Sequence, residues 1–129
     1  MQKIKTRRII IDLDNTISKS KNGNYREAIP IKGIKEKLRA LKQDGYEIVI
    51  YTSRNMHTHG NNLGKITAHT VPIILEWLQN NGIPYDELFI GKPWCGENGY
   101  YVDDRAIRPS ELLKYSHEEI LELLAREIF

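Results

Sequence analysis

Alternating strand and helix signals along this 129-residue chain predict an α/β fold built on a central parallel sheet. Three observations predict it. Two runs of β-branched and aromatic residues, Arg8-Ile9-Ile10-Ile11 and Tyr46-Glu47-Ile48-Val49-Ile50-Tyr51, read as buried strands. Each ends abruptly in polar residues. Between and after them, apolar residues recur at helical spacing.

The first strand spans about Arg7 to Leu13 and ends in Asp12-Leu13-Asp14-Asn15-Thr16. A polar stretch to Tyr25 follows, and its Asn22-Gly23 step predicts a tight turn, a hairpin or flap. Ile34, Leu38 and Leu41 share one face of a helix that Gly45 stops. The second strand ends in Thr52-Ser53-Arg54-Asn55, and Met56 to Lys65 reads as a loop rich in Gly, Asn and His. A helix is predicted from about Thr70, with Pro72 in its first turn and Gly82 beyond its end. Leu88 to Ile90 reads as a strand leading into Gly91-Lys92-Pro93-Trp94, and Tyr100 to Val102 as another ending in Asp103-Asp104. Ser116-His117-Glu118-Glu119 has the spacing of a capping box and opens the last helix. Its Ile120, Leu121, Leu123 and Leu124 stripe suits either the core or the seam of a homo-oligomer.

The length suits one domain, residues 1–129, with a single core. The net charge is +2, from 19 basic and 17 acidic residues, and no basic stripe offers itself to a nucleic acid. No apolar run approaches the roughly 18 residues a bilayer span requires. The basic start only faintly resembles a signal segment, because Asp12 and Asp14 interrupt the apolar run that follows it. The one cysteine, Cys95, cannot form an internal disulfide, and a cytoplasmic setting is the expectation.

Asp12 and Asp14, spaced i and i+2 at the end of an extended segment, project to one side and can converge. Two like charges at that distance favour either a bound cation or a raised pKa on one of them. Two acids can equally end an edge strand and face water. The downstream order weighs against that plain reading. Parallel strands bring their C-terminal ends to one edge, so Asp12 and Asp14, Thr52, Lys92, and Asp103 with Asp104 are predicted to meet there. Carboxylates from two strands suit the oxygen shell of Mg²⁺, and a hydroxyl and a lysine suit phosphoryl oxygens.

These segments resemble the four motifs of the haloacid dehalogenase superfamily: Asp12-Leu13-Asp14-Asn15-Thr16, the strand ending in Thr52, Lys92 in Gly91-Lys92-Pro93, and Val102-Asp103-Asp104. The resemblance spans essentially the whole chain and implies a three-layer, Rossmann-like fold. Ser53-Arg54-Asn55-Met56, Ala68-His69-Thr70, Gly91-Lys92-Pro93-Trp94-Cys95-Gly96 and Tyr101-Val102-Asp103-Asp104-Arg105-Ala106-Ile107-Arg108-Pro109 also resemble a subgroup associated with capsular or surface polysaccharide biosynthesis. The resemblance implies Asp12 as nucleophile, Asp14 as general acid and base, and Thr52 and Lys92 as phosphoryl-binding groups. It implies Mg²⁺ held by Asp12, the Asp14 carbonyl and Asp103, with Asp104 more remote. An acid two residues after the nucleophile is similar to the phosphatases and mutases of the superfamily, unlike its transport ATPases or dehalogenases. Residues 17–45 and 53–91 leave no room for a separate cap domain, and the flap and the 56–65 loop are expected to form a partial lid.

Asn15, Ser53, Arg54, Asn55 and Trp94 complete the candidate set as substrate-binding residues. Arg54 suits either a second anionic group or solvent, and Trp94 either a sugar face or packing. His57 and His59 lack an accompanying cysteine or acid, and so suit substrate or solvent better than zinc. The expected reaction is hydrolysis of a small phosphorylated metabolite or sugar. The rival readings are a macromolecular phosphate, at a nucleic-acid end or on a protein, and a non-catalytic module that binds metal and phosphate.

Overall fold

The computed structural model describes residues 6–127. The chain divides into two compact units, one ending at Trp94 and one beginning at Cys95. Among the described residues, no helix is long and apolar enough to cross a membrane.

In the first unit, β1 (Arg8–Ile11) is followed by a small hairpin of β2 (Ser18–Lys19) and β3 (Ile29–Pro30), paired antiparallel with Ser18 opposite Pro30. Asn22 and Gly23 both have positive φ, 56° and 72°, and turn the chain between these arms as that dipeptide predicts. α1 (Ile34–Gln43) buries Ile34, Leu38 and Leu41 on one face, and Gly45 ends it at a φ of 91°. β4 (Glu47–Tyr51) then pairs with β1 in parallel, Ile9 opposite Ile48 and Ile11 opposite Ile50.

α2 (Leu63–His69) and α3 (Val71–Asn80) follow, and β5 (Glu87–Phe89) adds beside β4 in parallel. The central sheet is therefore three parallel strands in the order β1-β4-β5, the parallel α/β architecture expected. Ile48, Val49 and Ile50, each 2% exposed or less, form its buried middle.

Two sequence expectations differ here. The stretch from Met56 to Lys65 is a loop only as far as Asn62, because Asn62 caps α2 by accepting a hydrogen bond from Lys65 N at 3.0 Å and Ile66 anchors the helix in the core. Gly60 and Asn61 belong to the turns before the cap, and Gly64 lies within α2. Residues 100–102 form no strand among the described residues. A strand exists only where a neighbour completes its ladder.

The second unit contains α4 (Pro109–Lys114) and α5 (His117–Ala125). The sequence reading missed α4, a short helix with Pro109 at its start. Ser116 and Glu119 form the reciprocal cap expected for α5, with Ser116 Oγ accepting from Glu119 N and Glu119 Oε1 accepting from Ser116 N.

Asp86 joins α1 to the start of β4 and β5. Its carboxylate accepts from Lys42 Nζ at 2.6 and 2.7 Å and from Ile48 N at 2.8 Å. Lys42 first, and then the Ile48 N–H, hold this carboxyl below its usual range against a smaller opposing effect of burial. A depressed folded pKa stabilises above the unfolded value and is lost as pH falls through the folded one. Asp86→Asn is expected to cost about 1 kcal/mol at neutral pH, after allowance for partial exposure. Urea unfolding should show that difference shrinking as the pH drops through the carboxylate range.

Candidate active site

The site grows from the C-terminal ends of β1 and β4. After β1 the chain folds tightly onto Leu13, whose carbonyl accepts from the N–H groups of Thr16, Ile17 and Ser18 at 3.3, 2.8 and 3.0 Å. Leu13 and Ile17, 1% and 0% exposed, pin this turn in the core. Asn15 adopts the left-handed conformation, φ 63°, which asparagine tolerates better than most residues. The acids on either side of Leu13 are thereby fixed by buried neighbours.

The Asp12 side chain is 34% exposed, and Lys92 Nζ stands 3.8 Å from its Oδ1. Thr16 Oγ1 lies 3.5 Å from Oδ2. Burial pushes the Asp12 carboxyl above its ordinary pKa. Lys92 opposes that shift, as do the Leu13 N–H and the Thr16 hydroxyl, while the nearby charge of Asp14 adds to it.

Asp14 has a different partner. Arg54 grips its carboxylate with two bonds, Nε to Oδ2 at 3.1 Å and Nη2 to Oδ1 at 2.8 Å. The Arg54 side chain is only 2% exposed, and the Tyr25 ring lies 4.0 Å from its guanidinium carbon. Its Nη1 is buried without a hydrogen-bond partner among the described residues. The sequence left Arg54 between a substrate anion and solvent; here it holds an acid of the site.

Thr52, 1% exposed, ends β4. Its N–H donates to Phe89 O at 2.9 Å and its carbonyl accepts from Lys92 N at 3.2 Å, which ties the Lys92 loop to the strand end. Thr52 Oγ1 accepts from Arg54 N at 3.0 Å, leaving the hydroxyl proton to donate elsewhere. The first unit thus gathers Asp12, Asp14, Thr52, Arg54 and Lys92 around two strand ends.

The remaining candidates divide. The Asn55 side chain is committed to the fold, accepting from Thr70 Oγ1 at 2.7 Å and donating to Thr58 Oγ1 at 3.3 Å. Ser53 is half-buried beside Thr52. Trp94 is 41% exposed, with the His57 ring 4.9 Å away at a 50° tilt. Asp103 and Asp104 lie in the second unit, where Asp103 Oδ1 accepts from Arg105 N at 2.8 Å in an exposed turn. Within neither unit do the described residues gather three His, Cys, Asp or Glu side chains that could hold a metal.

Sequence reasoning missed two contributors. Thr16 was present in the first motif but had no assigned role. Tyr25 carries no local signal for its role, since it meets Arg54 only through the fold, and His57, read as facing substrate or solvent, meets the Trp94 ring.

No protein-family model and no curated protein sequence matches the chain. The crystal structure of a structural-genomics target from Vibrio cholerae is 48% identical, with a TM-score of 0.93, over 95% of this chain and 100% of that one. D,D-heptose 1.7-bisphosphate phosphatase from B. bronchiseptica, complexed with magnesium and phosphate, is 20% identical with a TM-score of 0.46 over 74% of this chain and 54% of its own. A chain of the Pnkp1/Rnl/Hen1 RNA repair complex is 18% identical with a TM-score of 0.48, over 99% of this chain and 34% of its own. These two distant likenesses carry no inference of activity. At 48% identity along its whole length, the Vibrio cholerae protein is a true relative, and this chain belongs to the same family as that protein.

Proposed function

We propose that this chain is a phosphomonoester hydrolase of the haloacid dehalogenase type, working through an aspartyl-phosphate. The observation that carries the reading is the pair of unlike acids after β1: Asp12 beside Lys92, and Asp14 clamped by Arg54. Two neighbouring carboxylates with different partners can take different roles.

In the first step an Asp12 carboxylate oxygen attacks the substrate phosphorus, and the bond from phosphorus to the ester oxygen breaks. The departing oxygen takes a proton from Asp14 and leaves as the alcohol. In the second step Asp14 removes a proton from water as that water attacks the aspartyl-phosphate, releasing inorganic phosphate and restoring Asp12. Arg54 occupies one direction at each Asp14 oxygen, and the remaining lone pairs are available to the travelling proton. Lys92 and the Thr52 hydroxyl proton face the charge on the phosphoryl oxygens.

The donor set suits Mg²⁺, because it is all oxygen and Asp12 is a carboxylate whose ionised form burial disfavours. Asp12 and the backbone carbonyl of Asp14 would hold the ion, with Asp103 as a further ligand and Asp104 acting through water. When bound, it offsets charge on the transferring group. Few protein ligands completed by water and phosphate is the usual pattern for this ion.

The substrate reading is a phosphorylated sugar or small metabolite for capsular or surface polysaccharide, in a cytoplasmic setting. Trp94 with His57 offers an aromatic face two residues from Lys92, and the lone Cys95 supports a reducing compartment. A macromolecular phosphate is the second reading, favoured by the 34% exposure of the Asp12 side chain.

Phosphate release from a panel of sugar phosphates and an aryl phosphate is expected with Mg²⁺ and not with EDTA or Asp12→Asn. Asp14→Asn should lower turnover by about 10²- to 10⁴-fold. Release that survives these changes would sink the mechanism.

Arg54 acts through Asp14, so the two substitutions should not add. Arg54→Lys is expected to lower kcat in the wild type and to have little further effect alongside Asp14→Asn. Independent, additive losses in this double-mutant cycle would count against the assignment.

The raised carboxyl of Asp12 also has a consequence for stability. An acid whose folded pKa is raised costs stability once pH exceeds its unfolded value. Metal-free Asp12→Asn should therefore melt above wild type at neutral pH, and added Mg²⁺ should raise the melting temperature of wild type alone. Differential scanning fluorimetry reads both.

A further inference from the structure

Arg54 holds Asp14, and the residue that covers Arg54 comes from the flap. The Arg54 side chain is 2% exposed and the Asp14 side chain 30%, so the pair is closed on the side of the arginine and open on the side of the acid. The Tyr25 ring stands 4.0 Å from the guanidinium carbon, within the range of a cation–π contact. From Lys21 to Glu27 every residue except Tyr25 is exposed. One side chain is therefore turned inward from an otherwise solvated stretch, and it meets the arginine.

The backbone beneath that ring is anchored. Tyr25–Glu27 is a single turn of 3₁₀ helix, and the carbonyl of Ala28, just after it, accepts from Trp77 Nε1 of α3 at 2.8 Å. Ala28 and Trp77 are both buried, so this bond is shielded from water. Arg26 also reaches Glu76 at 3.1 Å, an exposed ion pair of small weight. The buried bond decides where Tyr25 stands.

We propose that Tyr25 is a positioning residue of the site, its ring sealing the Arg54 guanidinium and so fixing the direction of the Asp14 carboxylate. An arginine on its flexible stem ordinarily samples several rotamers and exchanges its partners with water. Beneath the ring, water cannot compete for Nε and Nη2, and the two charge-assisted bonds to Asp14 keep their geometry. The catalytic consequence rests on the phosphatase reading. Proton transfer to the departing oxygen depends on where the acid points, whereas the phosphoryl group is held by Thr52 and Lys92. Loss of the ring should therefore slow turnover and leave substrate binding nearly as it was.

Tyr25→Ala is expected to lower kcat on an aryl phosphate by about 10-fold, with KM within about twofold of wild type. Tyr25→Phe, which keeps the ring face, should recover most of that loss. Alongside Arg54→Lys, the alanine change should have little further effect. A raised KM with kcat unchanged would make Tyr25 a substrate contact and overturn the proposal, as would losses that add to those of Arg54→Lys. A second readout needs no turnover. In nitrogen-edited NMR spectra of the full chain, the Arg54 Nε–H, recognised by its disappearance in Arg54→Lys, should exchange slowly with water in wild type and in Tyr25→Phe. In Tyr25→Ala it should exchange at least about 10-fold faster. Equal exchange in all three overturns the seal. If Tyr25→Ala does not fold by circular dichroism, Tyr25→Ser takes its place. A wild type that releases no phosphate defeats the phosphatase reading, while the exchange rates still decide the seal.

Discussion

The bidentate contact between Arg54 and Asp14 is the interaction on which the site depends. It joins the loop after β1 to the turn after β4, and its outer side carries the Tyr25 ring of the flap. A guanidinium this deeply buried is costly unless its charge is matched and its donors are used. Asp14 supplies the matching charge and accepts from two of the three guanidinium nitrogens, while Nη1 has no partner among the described residues. Removing Asp14 would leave a buried cation unpaired, so the acid has a structural role.

The same constraint explains why two carboxylates separated by one residue behave differently. Asp12 meets Lys92 at 3.8 Å, across a gap longer than a hydrogen bond, and burial raises its carboxyl pKa against the opposing charge of Lys92. Asp14 is closed into a short, two-point contact. The turn around the Leu13 carbonyl enforces the separation, because Leu13 and Ile17 anchor it in the core. Backbone rigidity, rather than sequence distance, keeps the two acids in different surroundings.

Much of this was legible before any coordinates. Parallel strands end together, so the polar residues following Ile11 and Tyr51 had to be neighbours, and Lys92 follows from the short strand before it. The Ser116 cap and the Asn22-Gly23 turn were readable because both are local chemistry. Arg54 was not readable, since an arginine after a strand has the same sequence appearance whether it meets solvent, substrate or an acid 40 residues away. Tyr25 escaped for that reason too. The α2 helix was hidden by the Gly and Asn residues before it, whose turn preference says nothing about the Asn62 cap that follows.

The residues around Val102 mark the opposite case, in which the sequence reads as a strand and the chain does not form one. Propensity measures how well side chains fit a pleated, half-buried surface, and Tyr-Tyr-Val fits one well. A strand is nevertheless a relation between two backbones, and propensity cannot supply the second. Leaving both Val102 and Ile10 in water forgoes apolar burial worth about 1.5 to 3 kcal/mol for each side chain fully covered. The pattern at residues 100–102 therefore names side chains that could fill a sheet, and only a partner backbone decides whether they do.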